Sequence, residues 1–204
     1  MDALEQLRAA DPVLAALIAT HGPLDVEARR RGRPADAYGG LVRSIVGQQL
    51  STKAARAIYE RLTALFDGRT PSPAELLAVD PETIRGVGLS RAKVAYLRDL
   101  AARVLAGELE LDRLSELADE EVSSQLVAVK GLGQWTADMF LLFHLGRPDV
   151  LPVGDLGVRR AAERAYGLGA LPSAAELTAL AEPWRPHRSL ASLYLWHSLD
   201  NEPA

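Results

Sequence analysis

With 204 residues, 48% of them apolar, the chain has material for one packed domain or two small lobes, and it contains no cysteine, which excludes disulfides, thiolate zinc sites, cysteine nucleophiles and cysteine-ligated iron–sulfur clusters. A formal charge of -4 gives no overall attraction to nucleic acid, so such a partner would need a local phosphate site. No apolar run is long enough to span a bilayer and the start, MDALEQLRAADP, lacks a basic signal-like region, so the expected location is the cytoplasm, or the nucleoid when bound to DNA.

Leu, Ala and Val recur at three- and four-residue spacing while β-branched alternation is nearly absent, which predicts an all-α fold. A long helix is expected over 2–19, followed by the basic run Arg29-Arg30-Arg31 with Arg33, read as a solvated charge cluster. Helices over 38–47 and 51–66 flank the polar loop Gln48-Gln49-Leu50-Ser51, in which Ser51 is placed to cap the second. Ser72-Pro73-Ala74-Glu75 reads as a capping box before a short helix over 73–79, and Asp80-Pro81 as a cap before another over 81–85. Longer helices follow over 90–106, 119–129 and 134–145, then 156–166, a further capping box at Ser173-Ala174-Ala175-Glu176, and a last helix over 188–199.

One pattern occurs twice: Ile84-Arg85-Gly86-Val87-Gly88-Leu89-Ser90-Arg91-Ala92 and Val129-Lys130-Gly131-Leu132-Gly133-Gln134-Trp135-Thr136-Ala137. Each is apolar-basic-Gly-apolar-Gly leading into a helix, a turn whose glycines admit close approach and whose helix start points unpaired N–H groups outward. Such a turn suits an anion. About twenty residues beyond the second comes Leu151-Pro152-Val153-Gly154-Asp155-Leu156-Gly157-Val158-Arg159-Arg160, which delivers a carboxylate to a helix start; taken alone, Asp155 would be an ordinary N-cap. The 23 basic residues include only three lysines, Lys53, Lys93 and Lys130. His21, His144, His187 and His197 lack the spacing of metal ligands; His144 lies in an apolar helix and His187 near the C-terminal segment, and both read as structural.

The segment from Leu126 to Ala137 resembles the hairpin of helix-hairpin-helix proteins, and its combination with the Gly/Pro loop and Asp155 resembles the helix-hairpin-helix (HhH-GPD) DNA glycosylase superfamily. Leu41-Val42-Arg43-Ser44-Ile45-Val46-Gly47-Gln48-Gln49-Leu50-Ser51, together with Trp184-Arg185-Pro186-His187-Arg188-Ser189 and Leu195-Trp196, is similar to the 3-methyladenine DNA glycosylase II (AlkA) branch, in a compact form without an N-terminal β domain. The resemblance implies two helical lobes: a central one over about 36–145 containing the hairpin at 126–137, a second from 1–35 and 146–204, and an active-site cleft between them. It implies a monomer that flips alkylated bases from duplex DNA and hydrolyses the N-glycosidic bond.

In that frame Asp155 is the catalytic carboxylate, because cleavage builds positive charge on the sugar that a nearby carboxylate stabilises. Bifunctional members carry a Schiff-base lysine just after the second hairpin glycine; Trp135 follows Gln134 in that region and no lysine is present, so no lyase activity is expected. Trp135, Trp196 and Met139 are expected to line the base pocket, where an aromatic face favours a cationic alkylated purine; Met139 replaces an aromatic common there, and Trp184 is expected to be structural. Gln49, with Leu50 beside it, matches the wedge that fills the gap left by the flipped base. Lys130, Gly131, Leu132, Gly133 and Thr136 are the expected phosphate contacts, and a structural Na+ or K+ is expected on the carbonyls of Val127, Val129 and Leu132; no other cofactor is implied. Two alternatives stay open: a non-catalytic or structure-specific DNA-binding protein, and a glycosylase for oxidised or deaminated bases.

Overall fold

The computed structural model describes residues 2–25 and 34–200, and every regular element among them is helical. The basic run at 29–33 lies outside the described residues. Helices α1 (Ala3–Ala10) and α2 (Pro12–His21) stand where one helix over 2–19 was expected. The break has a local cause: Asp11 is extended and its Oδ1 accepts the N–H groups of Val13 (2.8 Å) and Leu14 (3.1 Å), while Pro12 has no N–H with which to continue α1.

The chain continues through α3 (Ala37–Gly47), α4 (Thr52–Ala64), α5 (Pro73–Ala78), α6 (Pro81–Gly86), α7 (Arg91–Leu105), α8 (Asp119–Val127) and α9 (Gln134–Phe140). A wider π-type turn at Leu141–Leu145 precedes α10 (Leu156–Ala165), α11 (Ala174–Leu180) and α12 (Arg188–Asp200). Both expected capping boxes form, Ser72 with Glu75 and Ser173 with Glu176, each serine hydroxyl accepting the glutamate N–H while the glutamate carboxylate takes the serine N–H. Asp80 differs, since its side chain makes no cap hydrogen bond; there Pro81, with φ already set for a helix, starts α6.

The described residues divide into two compact units, 34–140 and 2–25 with 141–200. In the first, α3 packs on α4, α7 and α9, and α5 lies against α7. Leu41, Val42, Ile45 and Val46 of α3 are buried with Leu62, Leu97, Leu100 and Leu126, the apolar three-and-four spacing of each helix having turned one stripe inward. In the second, α12 packs on α10 and α2, burying Leu14, Ile18, Val158, Ala162, Trp184 and Tyr194. Asp11 is buried at its centre, where Oδ2 accepts the Tyr166 hydroxyl (2.6 Å) and Trp184 Nε1–H (2.8 Å), so one carboxylate satisfies four donors. Arg188 donates through Nε to Asp149 Oδ1 (2.8 Å) and Arg185 through Nη1 to Oδ2 (2.7 Å), fixing the start of α12.

Candidate active site

In the unit containing α10 and α12, the loop after Val150 turns twice, with Val153 N–H bonded to the Leu151 carbonyl and Asp155 N–H to the Pro152 carbonyl, both at 2.9 Å. Asp155 follows in an extended conformation as the N-cap of α10, its Oδ1 accepting Val158 N–H at 2.8 Å. That much is the ordinary capping role. What exceeds it is Trp196 of α12, whose Nε1–H donates to the same Oδ1 at 2.8 Å. Two donors from separate helices converge on one oxygen and set the rotation of the carboxylate. The indole in turn stacks on Phe143, ring centres 6.0 Å apart and planes inclined by 19°.

Gly157 is what permits this approach. A Cβ at that position would stand 3.0 Å from both Asp155 Oδ1 and Trp196 Nε1, tighter than side chains ordinarily pack. The Gly-Asp-Leu-Gly sequence thus places the carboxylate with its third residue's neighbour kept small, and the half-buried Trp196 occupies the gap. Trp184 is fully buried on Asp11, a structural position.

The hairpin belongs to the other unit. After α8, Gly131 adopts φ +78°, and a Cβ there would overlap the Tyr96 ring at 2.1 Å, so this glycine answers both to backbone conformation and to a close approach. The expected phosphate contacts separate into two groups. Gly131 and Gly133 donate their N–H groups to no acceptor among the described residues, whereas Leu132 N–H is bonded to the Val129 carbonyl (3.1 Å) and Thr136 N–H to the Gly133 carbonyl (2.9 Å). The side chains of Leu132 and Thr136 are also buried, each residue only 4% exposed; packing of the hairpin against its own unit, which a linear motif does not encode, turns them inward. Lys130 is intermediate: its N–H goes to Asp99 Oδ2 (3.0 Å), and its exposed ammonium stands 3.6 Å from Asp99 Oδ1. Trp135 is exposed at the start of α9 and Met139 half-buried one turn further.

In the loop between α3 and α4, Gln49 takes φ +58°, unusual for a residue with a side chain, and both Gln49 and Leu50 are exposed. Ser51 caps α4 through Ala54 N–H at 3.3 Å. The loop is tied down by Gln48 Nε2–H on the Gly131 carbonyl (2.7 Å) and by Lys93 Nζ–H on the carbonyls of Val46 (2.8 Å) and Gln48 (2.7 Å). Burial pushes the Lys93 ammonium below the ordinary lysine value. Lys93 had no assigned role in the sequence, because its partners lie 45 and 47 positions away. The first Gly-turn begins α7: Ser90 caps it through Lys93 N–H (3.2 Å), and Arg61 Nε–H takes the Val87 carbonyl (2.7 Å).

For a monovalent cation on the hairpin, the Val127 and Leu132 carbonyls accept no N–H among the described residues and the Val129 carbonyl accepts one. Among the described residues no three His, Asp or Glu side chains are grouped to hold a metal. His187 contacts Gln6 (3.1 Å) and His21 meets His197 edge-on, which accounts for them as packing residues.

Residues 42–186 match the HhH-GPD superfamily of base excision DNA repair proteins, and the chain belongs to that superfamily. DNA-3-methyladenine glycosylase 1 of Schizosaccharomyces pombe is 34% identical over 161 residues, covering 78% of this chain and 71% of that protein. A Bacillus subtilis relative is 31% identical over 169 residues, and the matched part spans 80% of this chain but 59% of the relative's length. Among solved structures, a DNA-3-methyladenine glycosidase from Bacillus halodurans superposes with a TM-score of 0.86 at 37% identity, over 97% of this chain and 89% of that one. The Schizosaccharomyces pombe 3-methyladenine DNA glycosylase in complex with abasic DNA superposes with a TM-score of 0.85 at 30% identity, over 98% of both chains.

Proposed function

We propose that this chain is a monofunctional DNA glycosylase of base excision repair that removes alkylated bases from duplex DNA and leaves an abasic site. The observation that carries the reading is the Asp155 carboxylate, which lies within the segment that matches the superfamily and is fixed at the start of α10 by Val158 N–H and, from beyond that segment, by Trp196 Nε1–H. The bond from the base nitrogen to C1′ breaks with its electron pair leaving on the base, so that a cationic N-alkylated purine departs neutral. Positive charge then resides on the sugar, where Asp155 stabilises it and takes the proton of the water whose oxygen adds to C1′.

Trp135, Met139 and Trp196 are proposed to receive the flipped base, with Gln49 and Leu50 filling the space it vacates. The N–H groups of Gly131 and Gly133, with the Lys130 ammonium nearby, are proposed to hold a phosphate, and Val127, Val129 and Leu132 a Na+ or K+ ion that would brace the turn. With Trp135 in the hairpin region where bifunctional enzymes carry a lysine, water is the nucleophile and the strand stays intact. The relatives named as DNA-3-methyladenine glycosylases support an alkylated purine as substrate.

Base release from methylated duplex DNA, by the wild-type chain and by Asp155→Asn, tests this. Release of methylated purines without strand cleavage, lost in a variant that still binds abasic DNA, is expected. Binding of DNA with no base released from any alkylated duplex would overturn the reading in favour of a binding protein.

A further inference from the structure

Lys93, Tyr96, Asp99 and Arg103 are spaced three, three and four residues apart on α7 and share one face of it. That face reaches both of the loops assigned above to DNA. Lys93 directs its ammonium to the carbonyls of Val46, in the last turn of α3, and Gln48, the first residue of the loop that carries Gln49. One turn on, the Tyr96 ring fills the space over Gly131 that a Cβ would need. One turn further, Asp99 accepts the Lys130 N–H at 3.0 Å and is itself held by Arg103 Nε–H at 3.0 Å. Gln48 closes the circuit with its side chain on the Gly131 carbonyl at 2.7 Å.

The circuit has a mechanical meaning. Extruding a base requires pressure on the stack at one point and a phosphate anchored at another, and a loop that yields transmits neither. Gln49 is held at φ +58°, a conformation that persists in a residue with a side chain only where its surroundings enforce it. A methionine at 93 would bring a similar unbranched apolar stem but no donor, so a lysine there is explained by the two carbonyls it bonds rather than by packing.

We propose that this face of α7 is a gauge that sets the Gln49 loop against the hairpin, and that Lys93 is the positioning residue through which it holds the wedge for base extrusion. The inference rests on the glycosylase reading, but it concerns how damaged DNA is distorted and is measurable without catalysis. The affinity of wild type, Lys93→Met and Lys93→Arg is measured for a duplex containing a tetrahydrofuran abasic site and for the intact duplex of the same sequence, with the thermal transition of each protein recorded alongside.

Wild type is expected to prefer the abasic duplex, and Lys93→Met to lose about tenfold of that preference while binding intact duplex within about twofold of wild type. Lys93→Arg, which keeps the charged donors, is expected to restore most of it. A Lys93→Met protein that folds and keeps the full preference overturns the gauge, as does equal weakening on both duplexes, which signals a general loss of structure. Should Lys93→Met fail to fold, Gln48→Ala at the loop end of the circuit decides the matter, lost preference supporting the proposal and retained preference refuting it. Failure of wild type to release any base would instead sink the glycosylase reading and leave this comparison readable.

Discussion

Replacing Trp196 by phenylalanine removes one hydrogen bond and keeps an aromatic ring against Phe143. Asp155 Oδ1 then loses the Trp196 Nε1–H donor while Val158 N–H still bonds it, and the carboxylate is held less firmly in its rotation. A hydrogen bond to a charged acceptor is worth about 1.5–3 kcal/mol, and if that is expressed fully in the transition state, with tenfold in rate per ~1.4 kcal/mol, kcat falls by roughly 10- to 100-fold. Gly157→Ala reaches the same bond from the other side, since the new Cβ lies 3.0 Å from each of its two atoms, so the carboxylate or the indole must give by a few tenths of an ångström. Single-turnover base release from methylated duplex, with affinity for abasic DNA measured separately, reads both variants. The expected pattern is slow release with binding retained in each. Wild-type rates in both folded variants would refute the positioning argument, and weakened binding with an unchanged rate in Trp196→Phe alone would leave the indole only a stacking role.

Gly131→Ala combines a left-handed φ of +78° with a 2.1 Å overlap on Tyr96. A loss of about 3 kcal/mol is expected, roughly 6–12 °C in Tm for a chain of this size, and Tyr96→Ala in the same protein should return the steric part; an unchanged Tm would contradict the packing described. At Asp149, burial pushes the carboxyl up, but the Arg188 side-chain and backbone bonds and the charges of Arg188 and Arg185 outweigh it and hold the group below the ordinary carboxylate range. Its stabilisation is therefore present at neutral pH and lost as pH falls through that lowered value: Asp149→Asn should be about 2 kcal/mol less stable at pH 7 and converge on wild type in strong acid, as followed by denaturant unfolding across pH. Asp138 has the opposite sign, because burial raises it against the single Gln134 hydrogen bond, so its ionised form costs stability above the ordinary carboxylate value. Asp138→Asn should melt higher than wild type at pH 8 and lose that advantage near pH 4; a pH-independent difference would contradict the assignment.

The helices were legible because three-and-four periodicity and capping residues are local. The break between α1 and α2 was misread even though Asp11-Pro12 stood in the sequence, since the apolar stripe runs through Leu7, Leu14 and Ile18 without interruption and masks the cap. Asp155 was visible for the same local reason: loop, glycines and helix start are consecutive. Its bond to Trp196 spans 41 positions, and the Lys93 clamp spans 45 and 47, distances at which sequence pattern carries no geometric information. Leu132 and Thr136 show the converse limit. A hairpin motif names the residues of a turn, but only packing decides which of them face inward.

The Asp11 carboxylate draws its donors from Tyr166 and Trp184, which lie 155 and 173 positions further along the chain. On a ribosome adding about 5–20 residues per second, α1 and α2 emerge roughly ten to thirty seconds before the residues that complete their core. The intervening stretch, 34–140, has all of its own helices in hand long before that. Synthesis order therefore completes the inserted unit before α1 and α2 can bury Leu7, Leu14 and Ile18 against the rest of their core.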